Sequence, residues 1–206
     1  MSAVPLTQLS RAPRLYVADG FATDEEIARM LAVAADRDDL TRRGVAMKHD
    51  TTGFSFEMPV PGDPCLEAYV ARLHATVGMT NDFGNTLRFR RYAIGELHPP
   101  HLDCYRIGDL CLVATALLYL NDTAAGGETT FPRAVPKPIA VRPRKGRLVV
   151  WFNHYPNGLE DPTAWHESTP VTEGEKATLT AFIYKPIEYA AVRVPAVAAA
   201  ARAEEA

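Results

Sequence analysis

His101 and Asp103 stand two residues apart in His101-Leu102-Asp103, and a second histidine, His166, lies far downstream in Trp165-His166-Glu167. Alternate residues of a β-strand point to the same side, so His101 and Asp103 can share one face, and a distant strand can bring His166 to them. Two imidazole nitrogens and one carboxylate oxygen, leaving half of an octahedron open, form the facial set suited to a non-haem Fe(II) oxygenase centre. The triplet carries little weight by itself. With six His in 206 residues, a His-x-Asp triplet arises by chance in roughly one such chain in three.

Rival ligands are weaker. His98 lies three residues before His101, so strand alternation places it on the opposite face, and Pro99-Pro100 constrain it further. His154 follows the apolar run Leu148-Val-Val-Trp-Phe152 but lacks the downstream Pro170-Val171 and Lys176 that accompany His166. Cys104 and Cys111 flank the triplet and read as small buried hydrophobes rather than ligands. Three cysteines without paired spacing fit a reducing compartment, and hence a cytoplasmic protein.

The elements that must position these groups follow from composition and periodicity. A chain of 206 residues, 47% of them hydrophobic, can bury a sizeable core and suits one domain, 1–206. A net charge of −3 and a pI near 6.1 offer no basic field for a nucleic-acid partner. The densest positive run, Arg88, Arg90 and Arg91, reads as a solvated or paired strand face. No apolar stretch approaches the ~20 residues needed to cross a bilayer, and residues 1–14 lack a secretory apolar core. A soluble protein with no membrane partner is therefore expected; oligomeric state stays open.

Residues 14–17 read as a short strand ending at Asp19-Gly20. Thr23-Asp24-Glu25-Glu26 has the form of a capping box, and Ile27, Met30, Leu31 and Ala34 recur at helical spacing. Asp63-Pro64 predicts a second helix presenting Leu66, Tyr69, Val70, Leu73 and Val77 on one face. Residues 41–61 have no clear period and read as strand and loop. From Leu87 onward, short β-type runs are separated by Gly, Pro, Asn and Asp clusters. Strands are predicted at 87–94, 100–104, 111–120, 139–141, 147–152, 165–169 and 177–184. The predicted fold is mainly β with flanking helices, a double-stranded β-helix (jelly roll, cupin-like) braced by N-terminal helices. Its parts are a strand and supporting helices over 12–85, a jelly-roll catalytic core over 86–187, and an Ala-rich tail over 192–206 that frays or is disordered.

In chain order, Tyr92-Ala-Ile-Gly95, Pro100-His101-Leu-Asp103, Ala114-Thr115-Ala-Leu-Leu-Tyr119, Gly126-Gly-Glu-Thr129-Thr-Phe-Pro132, Val141-Arg-Pro143-Arg-Lys-Gly146 and His166-Glu-Ser-Thr-Pro170-Val171 with Gly174-Glu-Lys176 resemble the prolyl 4-hydroxylase-like branch of the 2-oxoglutarate and Fe(II)-dependent oxygenases. The resemblance implies that His101, Asp103 and His166 hold Fe(II), and that 2-oxoglutarate chelates it through its 1-carboxylate and 2-keto oxygens. It implies that Lys176 receives the far carboxylate, with Tyr92 and Thr115 donating hydroxyl hydrogen bonds to it. O2 and 2-oxoglutarate are the implied cosubstrates, with ascorbate as a supportive reductant. The expected reaction is hydroxylation of an unactivated C–H bond with release of succinate and CO2, desaturation or ring closure staying open.

Two departures bear on substrate. Leu112 stands where prolyl hydroxylases commonly carry Arg, and Ala177 where they commonly carry Trp. A small molecule such as an amino acid is therefore favoured as substrate, its carboxylate received by Arg106, Tyr105 or the Arg88–Arg91 run. The alternatives are a peptidyl-prolyl hydroxylase acting on a protein, a non-catalytic 2-oxoglutarate-binding module, and a cupin-like protein using Zn or Ni.

Overall fold

The computed structural model describes residues 3–186; the predicted tail over 192–206 lies outside them. The chain opens with a hairpin of β1 (Thr7–Arg11) and β2 (Arg14–Ala18), of which periodicity announces only the second strand. Helix α1 (Asp24–Ala35) begins with the predicted reciprocal cap: the Glu26 amide donates to Thr23 Oγ1 at 3.2 Å, and the Thr23 amide donates to Glu26 Oε2 at 2.9 Å. Ile27, Met30 and Ala34 are buried, whereas Leu31 is exposed, so the apolar stripe is narrower than its spacing suggests. A six-residue helix, α2 (Arg37–Arg42), follows at once, started by Asp36, whose side chain accepts from the Asp39 amide. Next come a hairpin, β3 (Met47–Asp50) with β4 (Gly53–Pro59), and α3 (Pro64–Val77). Asp63 caps α3 by accepting from the Cys65 and Leu66 amides, and Gly78, at φ 76°, closes it in the left-handed conformation. All five predicted apolar positions of α3 are buried, each such side chain contributing about 1.5–3 kcal/mol.

The β-rich part runs through β5 (Thr86–Tyr92), β6 (His98–His101), β7 (Arg106–Ile107), β8 (Leu110–Tyr119), β9 (Ala125–Gly126), β10 (Thr129–Phe131), β11 (Ile139–Val141) and β12 (Leu148–Phe152). It ends with β13 (His166–Ser168), β14 (Val171–Glu173) and β15 (Lys176–Pro186). The larger sheet has the order β1-β2-β12-β8-β15-β5-β4-β3, with β7 on β8; the smaller is β11-β10-β13-β6, and β9 pairs with β14. All these pairings are antiparallel. Helices α1 and α3 cover one face of the large sheet, where Met30, Tyr69 and Leu73 pack into one core with Leu118, Leu179 and Ile183. A second core of Leu15, Tyr119, Phe131, Val149 and Trp151 joins the two sheets. The result is a jelly roll braced by N-terminal helices. No helix among the described residues is long and apolar enough to cross a membrane.

Strand β15 shows why the sheet can do two jobs. Ala177, Leu179, Ala181 and Ile183 enter the helix-side core, while Lys176, Thr178, Thr180, Phe182 and Tyr184 line a cavity between the sheets. The same sheet places the two departures noted in the sequence. Ala177 lies on the helix side, and Leu112 is fully buried opposite Tyr184, so neither side chain is itself on the cavity wall.

Candidate active site

The cavity has a volume of about 440 Å³. Its metal-binding end is built by the pairing of β6 with β13, where His101 lies opposite His166 and His98 opposite Ser168. Three steps on β6 thus face two on β13. That bulge changes the expectation for His98: the extra residue brings it to the same side as His101, and their rings stack at 4.3 Å and 21°. The strand also ends at His101, earlier than predicted, leaving Asp103 in the following loop.

Asp103 is nonetheless fixed. It is 3% exposed, and Thr115 Oγ1 donates to its Oδ2 at 2.7 Å. Potential ligand atoms of His101, Asp103 and His166 all lie within 4.8 Å of one another. His101 Nε2 is 3.4 Å from Asp103 Oδ1, and His166 Nε2 is 3.7 Å from Oδ2. Each Nδ1 faces a backbone carbonyl, Pro99 at 2.8 Å and Ala164 at 2.9 Å. A carbonyl only accepts, so each Nδ1 carries the proton and, in the neutral ring, Nε2 presents its lone pair to the centre. Burial holds the His166 pKa below its ordinary value. Burial also works against charge on His101, but Asp103 outweighs it and holds that pKa up. On Asp103, burial is overcome by its contacts with His101, His166 and Thr115, so its carboxyl titrates below the usual range. An anionic oxygen between two imidazole nitrogens fits a divalent first-row metal, and no thiolate joins them: Cys111 is buried and Cys104 half-buried, both free and outside this group. His154 is outside it too, its carbonyl accepting from Arg14 Nη2 at 2.7 Å. Trp151 and Phe131 flank the His166 ring at 4.6 and 5.7 Å, closing that side with apolar surface.

Lys176 lies at the other end, 1% exposed. Its Nζ donates to Ser168 Oγ at 2.7 Å and sits 4.9 Å from the Tyr92 ring centre. Burial pulls its pKa down to about 7, with Glu128 opposing and Arg90 adding to the fall. Ser168 and His166 are two residues apart on one face of β13, about 7 Å. Lys176 therefore sits the length of a five-carbon dicarboxylate from the triad. Tyr92, pushed up to about 12 by burial, presents a protonated hydroxyl beside it. Thr115 has another employment: its proton goes to Asp103, and its oxygen accepts from Asn153 Nδ2 at 3.3 Å. Tyr105, 55% exposed, and Arg106 line the rim. Ser168 and Asn153 escaped the sequence reading, and His98 was placed on the wrong face. Ser168 alone had a signal there, its position two residues from His166.

The class of molecule that these atoms suit is a jelly-roll oxygenase: two imidazoles and one carboxylate close enough to hold a metal, and a buried lysine at the distance of a dicarboxylate's far end. The sequence model of the 2OG-Fe(II) oxygenase superfamily matches residues 87–184. Probable prolyl 4-hydroxylase 6 of Arabidopsis thaliana is 30% identical over 209 residues, spanning 87% of this chain and 72% of the relative. Among solved structures, the viral collagen prolyl hydroxylase of Paramecium Bursaria Chlorella virus-1, in its 2OG complex, superposes with a TM-score of 0.65 at 21% identity, covering 85% of this chain and 98% of that one. A Trichoplax adhaerens prolyl hydroxylase in complex with a hypoxia inducible factor peptide fragment gives 0.56 at 17%, covering 86% and 85%. The chain belongs to the 2OG-Fe(II) oxygenase superfamily, in its prolyl 4-hydroxylase-like branch, and is an Fe(II)- and 2-oxoglutarate-dependent oxygenase.

Proposed function

We propose that this enzyme hydroxylates prolyl residues in a peptide or protein, in place of the small metabolite favoured from sequence. The observation that carries this reading is the extent of the cavity. Its floor follows β15 from Lys176 to Tyr184, about 26 Å of strand, and 2-oxoglutarate fills only the Lys176 end. Beyond that end, Phe182, Tyr184, Tyr105 and Ile107 line the wall and mouth, and Phe83 packs on Tyr184 at 5.4 Å. An exposed apolar collar of this kind suits an extended chain with a pyrrolidine ring to bury. The relatives named prolyl 4-hydroxylases support the same reading, and of the two sequence departures that opposed it Ala177 lies on the helix side of the sheet.

In this reading His101 and His166 through Nε2, and Asp103 through its carboxylate, hold Fe(II). Fe(II) held there would let O2 act as the oxidant, one oxygen atom turning C–H into C–OH and the other entering the succinate formed, with CO2, from 2-oxoglutarate. Lys176 binds the far carboxylate by a charge-assisted bond, and Tyr92 donates a second. Thr115 orients Asp103, and Trp151 and Phe131 keep water from the His166 side. Arg106 and Tyr105 meet the substrate at the rim. The three free cysteines support a reducing, cytoplasmic setting.

Purified protein with Fe(II), ascorbate and 2-oxoglutarate is expected to add one oxygen atom to prolyl peptides, with succinate formed in step, and Asp103→Ala to abolish both. Turnover on free amino acids alone would overturn the reading.

A further inference from the structure

The arginine run on β5 enters the cavity unevenly. Tyr92, Arg90 and Arg88 lie opposite Lys176, Thr178 and Thr180 of β15 and line the cavity, whereas Arg91 is exposed and does not. At two residues per step, Arg90 stands about 7 Å and Arg88 about 14 Å along the strand from the Lys176 row, toward the mouth. Arg90 is half-buried. Its Nη1 donates to His98 Nδ1 at 2.9 Å and to the Thr52 carbonyl at 3.0 Å. A guanidinium only donates, so His98 Nδ1 accepts, and both partners are neutral. Arg88 does have a carboxylate, Glu57, but both side chains are close to half-exposed and water screens the pair.

A half-buried guanidinium held only by neutral acceptors has room to gain a stronger, charge-assisted partner when a carboxylate reaches it. The cosubstrate does not supply one: Lys176 answers one of its carboxylates and the metal the other. We propose that Arg90, with Arg88 beside it, reads a carboxylate on the substrate, an Asp or Glu side chain next to the target proline. This rests on the prolyl-hydroxylase reading. The planar guanidinium takes a carboxylate in two parallel hydrogen bonds, and its anchoring on His98, itself stacked on His101, ties the recognition point to the metal end. Phe182 and Tyr184, across the same floor, receive the proline ring.

The test uses three otherwise identical prolyl peptides with Glu, Gln or Lys beside the proline, the holoenzyme, and hydroxyproline formation as readout. Wild type is expected to favour Glu over Gln by roughly tenfold in kcat/KM, through KM, as for one charge-assisted pair at a partly open site. In Arg90→Gln that ratio falls toward one, and in Arg90→Glu the Lys peptide becomes the better substrate. Each ratio compares peptides within one protein, so partial misfolding cancels. Equal kcat/KM for the Glu and Gln peptides in wild type overturns the proposal and leaves prolyl hydroxylation standing. A rise in 2-oxoglutarate KM in Arg90→Gln with the peptide ratio intact assigns Arg90 to the cosubstrate and also overturns it. Hydroxylation of no peptide overturns both readings.

Discussion

Replacing Lys176 with Met removes a charge that the fold holds at a cost. Its Nζ is buried with Ser168 Oγ as hydrogen-bond partner, and burial lowers its pKa from 10.5 to about 7. At about 1.4 kcal/mol per pH unit, keeping the ammonium in this site below pH 7 costs on the order of 5 kcal/mol relative to the unfolded chain. Between pH 7 and 10.5 the unfolded chain binds the extra proton, so wild-type stability rises with pH through that window and is lowest below it. Methionine keeps the length and apolar contacts and gives up one hydrogen bond worth about 1 kcal/mol. Metal-free, cosubstrate-free Lys176→Met is therefore expected to be more stable than wild type by about 4 kcal/mol at pH 6, with the gain shrinking toward zero near pH 10. Urea denaturation across that range measures it. The same variant should lose most of its 2-oxoglutarate affinity by titration calorimetry. In wild type, affinity should decline from pH 7 to 9, because binding there requires the site to take up a proton. A variant that is less stable than wild type at pH 6, or that binds 2-oxoglutarate as well, would refute the reasoning.

Two further substitutions probe the frame around the site. Asn153→Leu cuts the relay from Asn153 through Thr115 to Asp103 and should weaken Fe(II) binding roughly 10–100-fold, the usual effect of losing a group that orients a metal ligand; undiminished affinity in a metal titration would show that Thr115 holds Asp103 unaided. Tyr69 is fully buried with its hydroxyl unpartnered, so Tyr69→Phe should raise stability by about 1–3 kcal/mol in denaturant unfolding, and a loss would reveal a partner for that hydroxyl.

What could be read in advance was whatever a local rule governs. Thr23 and Asp63 announce their helices because a cap acts within three residues. The α3 stripe and the alternation of β15 are legible because one face of each is apolar. Helix α2 has only Leu40 buried, too little pattern to show. The position of His98 depends on a bulge set by the pairing of β6 with β13, which no spacing within β6 encodes. Asp103 joins His101 and His166 from a loop rather than a strand, held there by Thr115 on β8, so strand alternation was a partly wrong geometric reason for grouping them. Ala177 shows that a departure from a family pattern says nothing about which side of a sheet it occupies.

The two-sided character of β15 has a consequence for how this enzyme can be altered. Saturation libraries at Thr178, Thr180, Phe182 and Tyr184 change the chemistry of the wall, while the side chains that fasten the strand to the helices stay as they are. The apolar contacts of Ala177, Leu179, Ala181 and Ile183 with the helices are then common to every member of such a library, so the wall can be varied against a constant helix-side core.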